Sequence, residues 1–294
     1  MVRVVVGLAI AATYLLMVMG NLVTSTKSGL ACPDWPLCHG AVIPPPPYNN
    51  WIEMGHRMMA SLTGTFALAA AILIWMKRTG PARWLSLVAL FLVGVVAGFG
   101  AFVVLTEAPN LQSMFDVALI STHIILAATI FTLLILTFRY LPESGTEKVE
   151  GFYPLFFGIV VLQVLLGIFV RYGQATLACP DFPYCRGVWL PELTDLKVTL
   201  QFFHRLNALV IFTLALGYMI KCLSIGRDTT NSIITFSLVL AQATFGAYVV
   251  WSGMYLPYVV LHGANGFALY GWLVYRTAPY LRGVNPQGEG AEKA

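Results

Sequence analysis

Eight stretches of about 20 mostly apolar residues punctuate this chain of 294 residues, and each is long enough to cross the hydrocarbon of a bilayer. They run over roughly 4–24, 54–76, 85–106, 118–138, 153–171, 201–220, 231–251 and 258–275. A soluble domain carries roughly a quarter charged residues. Here 10% are charged, 58% are hydrophobic and the mean hydropathy is +0.77, so the expected fold is an all-α integral membrane protein. The first run is too long, and lacks the cleavage flank, for a removed signal peptide, and it counts as a true span.

Eleven of the 17 Lys and Arg, among them Lys77, Arg78, Arg139, Lys221 and Arg282, fall on one side of these spans. Lys27, Arg57, Arg171, Arg186, Lys197 and Arg205 fall on the other. The positive-inside rule makes the richer side cytoplasmic. The chain is therefore expected in the cell membrane, multi-pass, with both termini cytoplasmic. Its formal net charge of +4 needs no nucleic acid as partner, because flanks facing a lipid bilayer account for it.

The two halves of the sequence repeat. Cys32 and Cys38 enclose Pro-Asp-Trp-Pro-Leu, and Cys179 and Cys185, 147 residues later, enclose Pro-Asp-Phe-Pro-Tyr. Gly20 and Gly167 stand near span ends at the same offset, and the Gly-Ala-Phe-Val-Val from Gly100 returns as Gly-Ala-Tyr-Val-Val from Gly246. Four spans per copy is an even number, so both copies share one orientation. The expected architecture is eight transmembrane helices as two pseudo-symmetric four-helix bundles from a tandem duplication. Residues 1–141 form the first, 142–152 a cytoplasmic linker with Pro142 and Gly145, 153–282 the second, and 283–294 a disordered polar tail.

Both cysteine loops are expected on the outer face. An oxidising exterior suits a disulfide within each, Cys32 with Cys38 and Cys179 with Cys185, while Cys222 stands alone at a cytoplasmic helix end. Closing so short a ring gains only about 2 kcal/mol of chain entropy. The pairs read first as loop staples, with electron transfer as the sharper alternative.

Four of the five histidines hold equivalent places in the copies. His56 and His204 open the second and sixth spans, and His123 and His262 lie early in the fourth and eighth. Even-numbered spans run in one direction, so each bundle presents two imidazoles at a similar depth. Ionisable groups inside a span are costly and by default functional. Structural zinc needs four N or S ligands and catalytic zinc three, whereas two imidazoles on facing helices suit bis-histidine haem iron. Arg57 and Arg205 each follow a histidine directly, and a haem propionate would explain a guanidinium at that depth, with snorkelling to headgroups as the plainer reading. Glycines at 55, 64, 98, 100, 246, 263 and 266 would let a flat macrocycle or a neighbouring helix approach.

One position breaks the symmetry. Glu53 lies three residues before His56, and its counterpart before His204 is Gln201. A carboxylate one turn from the ligand can accept a proton from water or stabilise positive charge, which an amide cannot. The first bundle is thereby the candidate for chemistry and the second for holding a cofactor. A Glu favoured by the N-terminal helix dipole is the plainer reading.

Taken together, Glu53-x-x-His56-Arg57, His123, His204-Arg205, His262 and the paired cysteines resemble the haem A synthases over essentially the whole chain. The resemblance implies an oxidoreductase that converts the C8 methyl of haem O to a formyl group through an alcohol, for cytochrome oxidase assembly. It further implies that His56 and His123 bracket the substrate haem O, that His204 and His262 hold a resident haem b and its iron, and that Glu53 is catalytic. Water is the implied oxygen source, with electrons passing by haem b, and with Cys32 and Cys38 as further candidates, to a membrane electron acceptor. An upstream haem O synthase, a prenyltransferase, is the implied partner. The alternative from another class is a di-haem b electron-transfer or quinol-binding membrane cytochrome, which has no need of an asymmetric carboxylate. A parallel-repeat transporter is disfavoured, because the polar groups gather at the outer end and not at the midplane.

Overall fold

The computed structural model describes residues 1–78, 80–107, 110, 113–141 and 150–281. Most of the expected linker, 142–149, and the expected tail, 283–294, lie outside the described residues, as do Lys148, Arg282 and Lys293. The described residues form eight helices: α1 (Val2–Ser25), α2 (Tyr48–Lys77), α3 (Pro81–Leu105), α4 (Met114–Tyr140), α5 (Phe152–Tyr172), α6 (Leu196–Ile225), α7 (Thr229–Trp251) and α8 (Leu256–Leu281).

Their packing follows chain order. Helices α1, α2, α3 and α4 close a ring in which each touches the next and α4 returns to α1; α5, α6, α7 and α8 close another in the same way. The rings meet where α8 packs on α1 and α4, and where α4 meets α5. Within the second ring, Tyr153, Phe156, Ile211, Val239 and Leu273 form one apolar cluster, while Met17, Phe131, Ile135 and Val274 fill the seam between the rings. Small buried residues such as Ala9, Ala70 and Ala89 let backbones approach where hydrocarbon outside gives no drive to associate. Phe91 is 69% exposed and Leu155 72%, a surface that only lipid tolerates at this density of large apolar side chains. The chain is a multi-pass membrane protein.

Seven of the eight helices are long and apolar enough to cross a membrane, and α8 is the exception. Its sequence carries His262, Asn265, Arg276 and four tyrosines. Packing accommodates these polar residues. Helix α8 touches α1, α4, α5 and α7, so much of its surface meets protein rather than lipid, and polar side chains there find partners: Asn265 Nδ2 donates to the Leu238 carbonyl at 2.9 Å.

Helix starts also differ from the hydropathy edges. Helices α2 and α6 begin at Tyr48 and Leu196, ahead of the apolar runs. Pro47 stands at the N-cap of α2, and the Asp195 carboxylate caps α6 by accepting the Lys197 N–H at 2.9 Å. A side-chain cap sets the start of α6 and the end of the proline run that of α2, whereas hydropathy reports only where lipid begins. His56 and His204 therefore lie eight residues inside their helices, about 12 Å along the axis at 1.5 Å per residue.

Candidate functional site

The two cysteine loops share one construction. In the first, Cys32 and Cys38 are disulfide-bonded, and Cys38 and Ala41 exchange backbone hydrogen bonds of 3.0 and 3.2 Å around a two-residue turn. The turn residues His39 and Gly40 both have positive φ, 54° and 73°, as a tight hairpin turn of this hand requires. The Asp34 carboxylate accepts the N–H groups of His39 and Gly40 at 2.6 and 2.8 Å. These bonds, with that of Gly40 foremost, hold its pKa below the usual carboxylate range. In the second loop the disulfide joins Cys179 to Cys185, the turn is Arg186-Gly187, and Asp181 is the acceptor, held low in the same way by Gly187 and then Arg186. His39 Nε2 meets the Ala31 carbonyl, and Arg186 Nε donates to the equivalent Ala178 carbonyl. His39 is thus a loop residue, in the same role as its unlike counterpart.

Arg57 and Arg205 clamp these loops to the helices below. Arg57 Nη1 donates to the carbonyls of Asp34 and Leu37 at 2.6 and 2.5 Å, and Nη2 to that of Cys32 at 3.2 Å. Arg205 makes the matching bonds to Asp181, Tyr184 and Cys179. Both terminal nitrogens of each guanidinium are therefore engaged by loop carbonyls, a role that residue type and depth alone did not reveal.

Glu53 is buried beneath the first loop at 3% exposure. One carboxylate oxygen accepts the Cys32 N–H at 2.8 Å, and the other accepts from Arg57 at 2.5 Å. A carboxylate offers about four acceptor positions, so two remain. Gln201 is as deeply buried, but its amide donates to the Thr176 carbonyl at 2.9 Å and its oxygen has no hydrogen-bond partner. A negative charge tied directly to a disulfide loop thus stands one turn above His56 and is absent above His204.

Below these groups each of the four histidines lies against a glycine of the preceding helix. A side chain carbon added at Gly20 would stand 3.3 Å from His56 Cε1, at Gly100 3.4 Å from His123, at Gly167 3.2 Å from His204, and at Gly246 3.1 Å from His262. At Gly20, Gly167 and Gly246 such a carbon would be tighter than ordinary contact with the imidazole, and at Gly100 it would just touch it. Gly100 and Gly246 were candidates from sequence; Gly20 and Gly167 were visible only as repeat markers. Nδ1 of His56, His123 and His204 is buried without a hydrogen-bond partner, while each ring as a whole is half-buried. The exposed edge is accordingly the Nε2 side. His56 and His123 lie within electrostatic reach of one another, as do His204 and His262.

His262 shows which tautomer this favours. Its Nδ1 meets the Gln242 carbonyl at 3.2 Å and its Nε2 meets the Gln242 side-chain amide at 3.2 Å. With Nδ1–H donating to a carbonyl, Nε2 carries the lone pair and accepts from the Gln242 amide, the tautomer that a metal-ligating histidine uses. Gln163 Nε2 stands 3.4 Å from His204 Nε2 in the same manner. Asn207 and Asn265 donate in turn to Gln163 and Gln242 at 2.9 and 2.8 Å. Sequence reading passed over these four amides; the signal was an Asn three residues after each histidine of the second pair and a Gln four before the facing glycine.

Among the described residues no three His, Cys, Asp or Glu converge as a metal-only site requires. Two imidazoles per ring, each backed by a glycine of the preceding helix, fit a haem held by two histidines.

Comparison with known proteins follows the same lines. Residues 3–49 and 46–274 match the profile of the COX15-CtaA family, described as cytochrome oxidase assembly protein. The chain is 32% identical to the heme A synthase of Alkalihalophilus pseudofirmus over 283 residues, covering 90% of this chain and 92% of the relative. It is 30% identical to those of Symbiobacterium thermophilum, covering 94% and 96%, and Shouchella clausii, covering 80% and 82%.

Proposed function

The chain belongs to the COX15-CtaA family of cytochrome oxidase assembly proteins, and from that premise we propose that it makes haem A from haem O. The reaction is oxidation of the C8 methyl to a formyl group through an alcohol. With water as oxygen source, a methyl group and one water become a formyl group, releasing protons and electrons in equal number to a membrane acceptor. A haem O synthase would supply the substrate.

The observation that carries this reading is an asymmetry between otherwise matched halves. Each ring offers a glycine-backed histidine pair, but a buried carboxylate stands above only the first. We read the rings as copies of a duplicated four-helix unit. Residues 1–141 would hold the substrate between His56 and His123, and residues 153–282 the resident haem b between His204 and His262. When bound, that haem supplies one-electron redox chemistry beside the substrate pocket. The loop end is the outer face, with both termini cytoplasmic.

The C8 methyl lies next to a propionate on the porphyrin rim. With propionates directed toward the loop end, where Arg205 and Arg57 lie, the reacting carbon would be on the side of Glu53. Glu53 has acceptor positions left after binding Cys32 and Arg57, so it can take the proton of an attacking water. Arg57 fixes the carboxylate, and the disulfide loop above it limits access of bulk water. Mass analysis of haem extracted from the chain after supply of haem O tests this reading.

The glycine contacts yield a sharper check. Gly246→Val drives a branched side chain into the His262 ring, where even one carbon stands 3.1 Å from Cε1. We expect haem b content to fall several-fold at unchanged protein yield. Gly94→Val, at a glycine with nothing within 4 Å of an added carbon, should leave it unchanged. Equal haem in both variants would contradict His262 as a ligand.

A further inference from the structure

We propose that Gln163, Asn207, Gln242 and Asn265 determine haem specificity, excluding a prenylated haem from the second histidine pair. The places equivalent to these four in the first half are Leu16, Met59, Val96 and Leu126, all apolar and all half-buried like the amides. Leu16 and Val96 stand four residues before Gly20 and Gly100, as the glutamines stand before Gly167 and Gly246; Met59 and Leu126 stand three after their histidines, as the asparagines do. The proposal rests on the assignment of haem O to the first pair and haem b to the second.

Depth makes the difference chemical. Helices α5 and α7 run toward the loop end and α6 and α8 away from it, so all four amides lie about one turn below the imidazoles. Propionates directed at the loop end leave the opposite edge of the macrocycle at that level. In haem b that edge carries vinyl groups, and in haem O one of them is replaced by a hydroxyl-bearing isoprenoid chain.

The amides form two closed sets. Asn207 Nδ2 donates to Gln163 and to the Ile159 carbonyl, and Gln163 Nε2 donates to the His204 carbonyl at 3.0 Å. Asn265 Nδ2 donates to Gln242 and to the Leu238 carbonyl. Use of Nε2 as a ligand atom would displace only the Gln163 and Gln242 contacts to the rings. The remaining amide bonds survive beside a vinyl group. A long hydrocarbon chain would have to lie against them or part them, leaving polar groups unpaired in a membrane interior, which is costly. Leu16, Met59, Val96 and Leu126 have no such groups to strand, and a flexible Met suits an irregular chain.

The test uses full-length protein expressed with supplies of both haems. In a His56→Ala/His123→Ala background only the second pair remains, and extracted haem should be haem b. Adding Q163L/N207M/Q242V/N265L should raise the ratio of haem O to haem b at least about ten-fold, with the low-spin absorbance of two axial histidines retained. An unchanged ratio in a variant that still binds haem overturns the proposal. Should that variant fail to accumulate, L16Q/M59N in the otherwise intact chain decides, because haem b in the second pair reports folding. Loss of haem O with haem b retained supports the proposal, and retention of both overturns it. Adding His204→Ala to the first background should remove all haem; haem that persists there refutes the placement of haem b itself rather than the role of the amides.

Discussion

Replacing Glu53 by Gln should lower haem A formation by at least about 100-fold while leaving haem b content and protein yield unchanged. The substitution preserves shape, and the equivalent position in the second half shows that an amide can be buried there, at 4% exposure. An amide oxygen can still accept the Cys32 N–H, and Arg57 keeps its three loop carbonyls. What disappears is the proton acceptor. Haem composition of the purified variant separates the two roles of this residue. If Glu53 served only to staple the loop, the variant would still make haem A at nearly the parental rate. An electron-transfer cytochrome makes none in either protein.

His204→Ala and His262→Ala should each reduce haem b by more than about ten-fold, because loss of one axial nitrogen leaves a single protein bond to the iron. His56→Ala and His123→Ala should instead spare haem b and abolish conversion of haem O. Haem stoichiometry and absorbance of the four variants check this division. The outcome that contradicts it is equal haem b loss from substitutions in both halves, which would mean one shared site or two equivalent haems.

The histidine pairs, the cysteine loops and the Glu53/Gln201 difference could all be read from spacing, because a repeat exposes its own exceptions. Orientation-independent features of helices also carried: eight helices are found where eight apolar runs stand. What spacing does not encode is direction in space. The role of Arg57 as a loop clamp was hidden because residue type and depth do not say that a folded-back loop offers three carbonyls to it. Gly20 opposes His56 across two helices, and no pattern within α1 announces the ring it accommodates. The glutamines and asparagines below the second pair were scattered singly over α5, α6, α7 and α8, and only packing makes them two connected sets. The apolar run of α8 was legible, but not that its polar side chains find partners on the helices around it.

The most direct test is acid-acetone extraction of the purified chain, expressed with a haem O supply, followed by chromatography and mass analysis of the haems. The expected result is haem b together with haem A or its alcohol precursor, with haem A and the alcohol absent from parallel cells without the chain. Haem b alone, with haem O available and untouched, would contradict it and leave a membrane cytochrome whose Glu53 does no more than hold a loop.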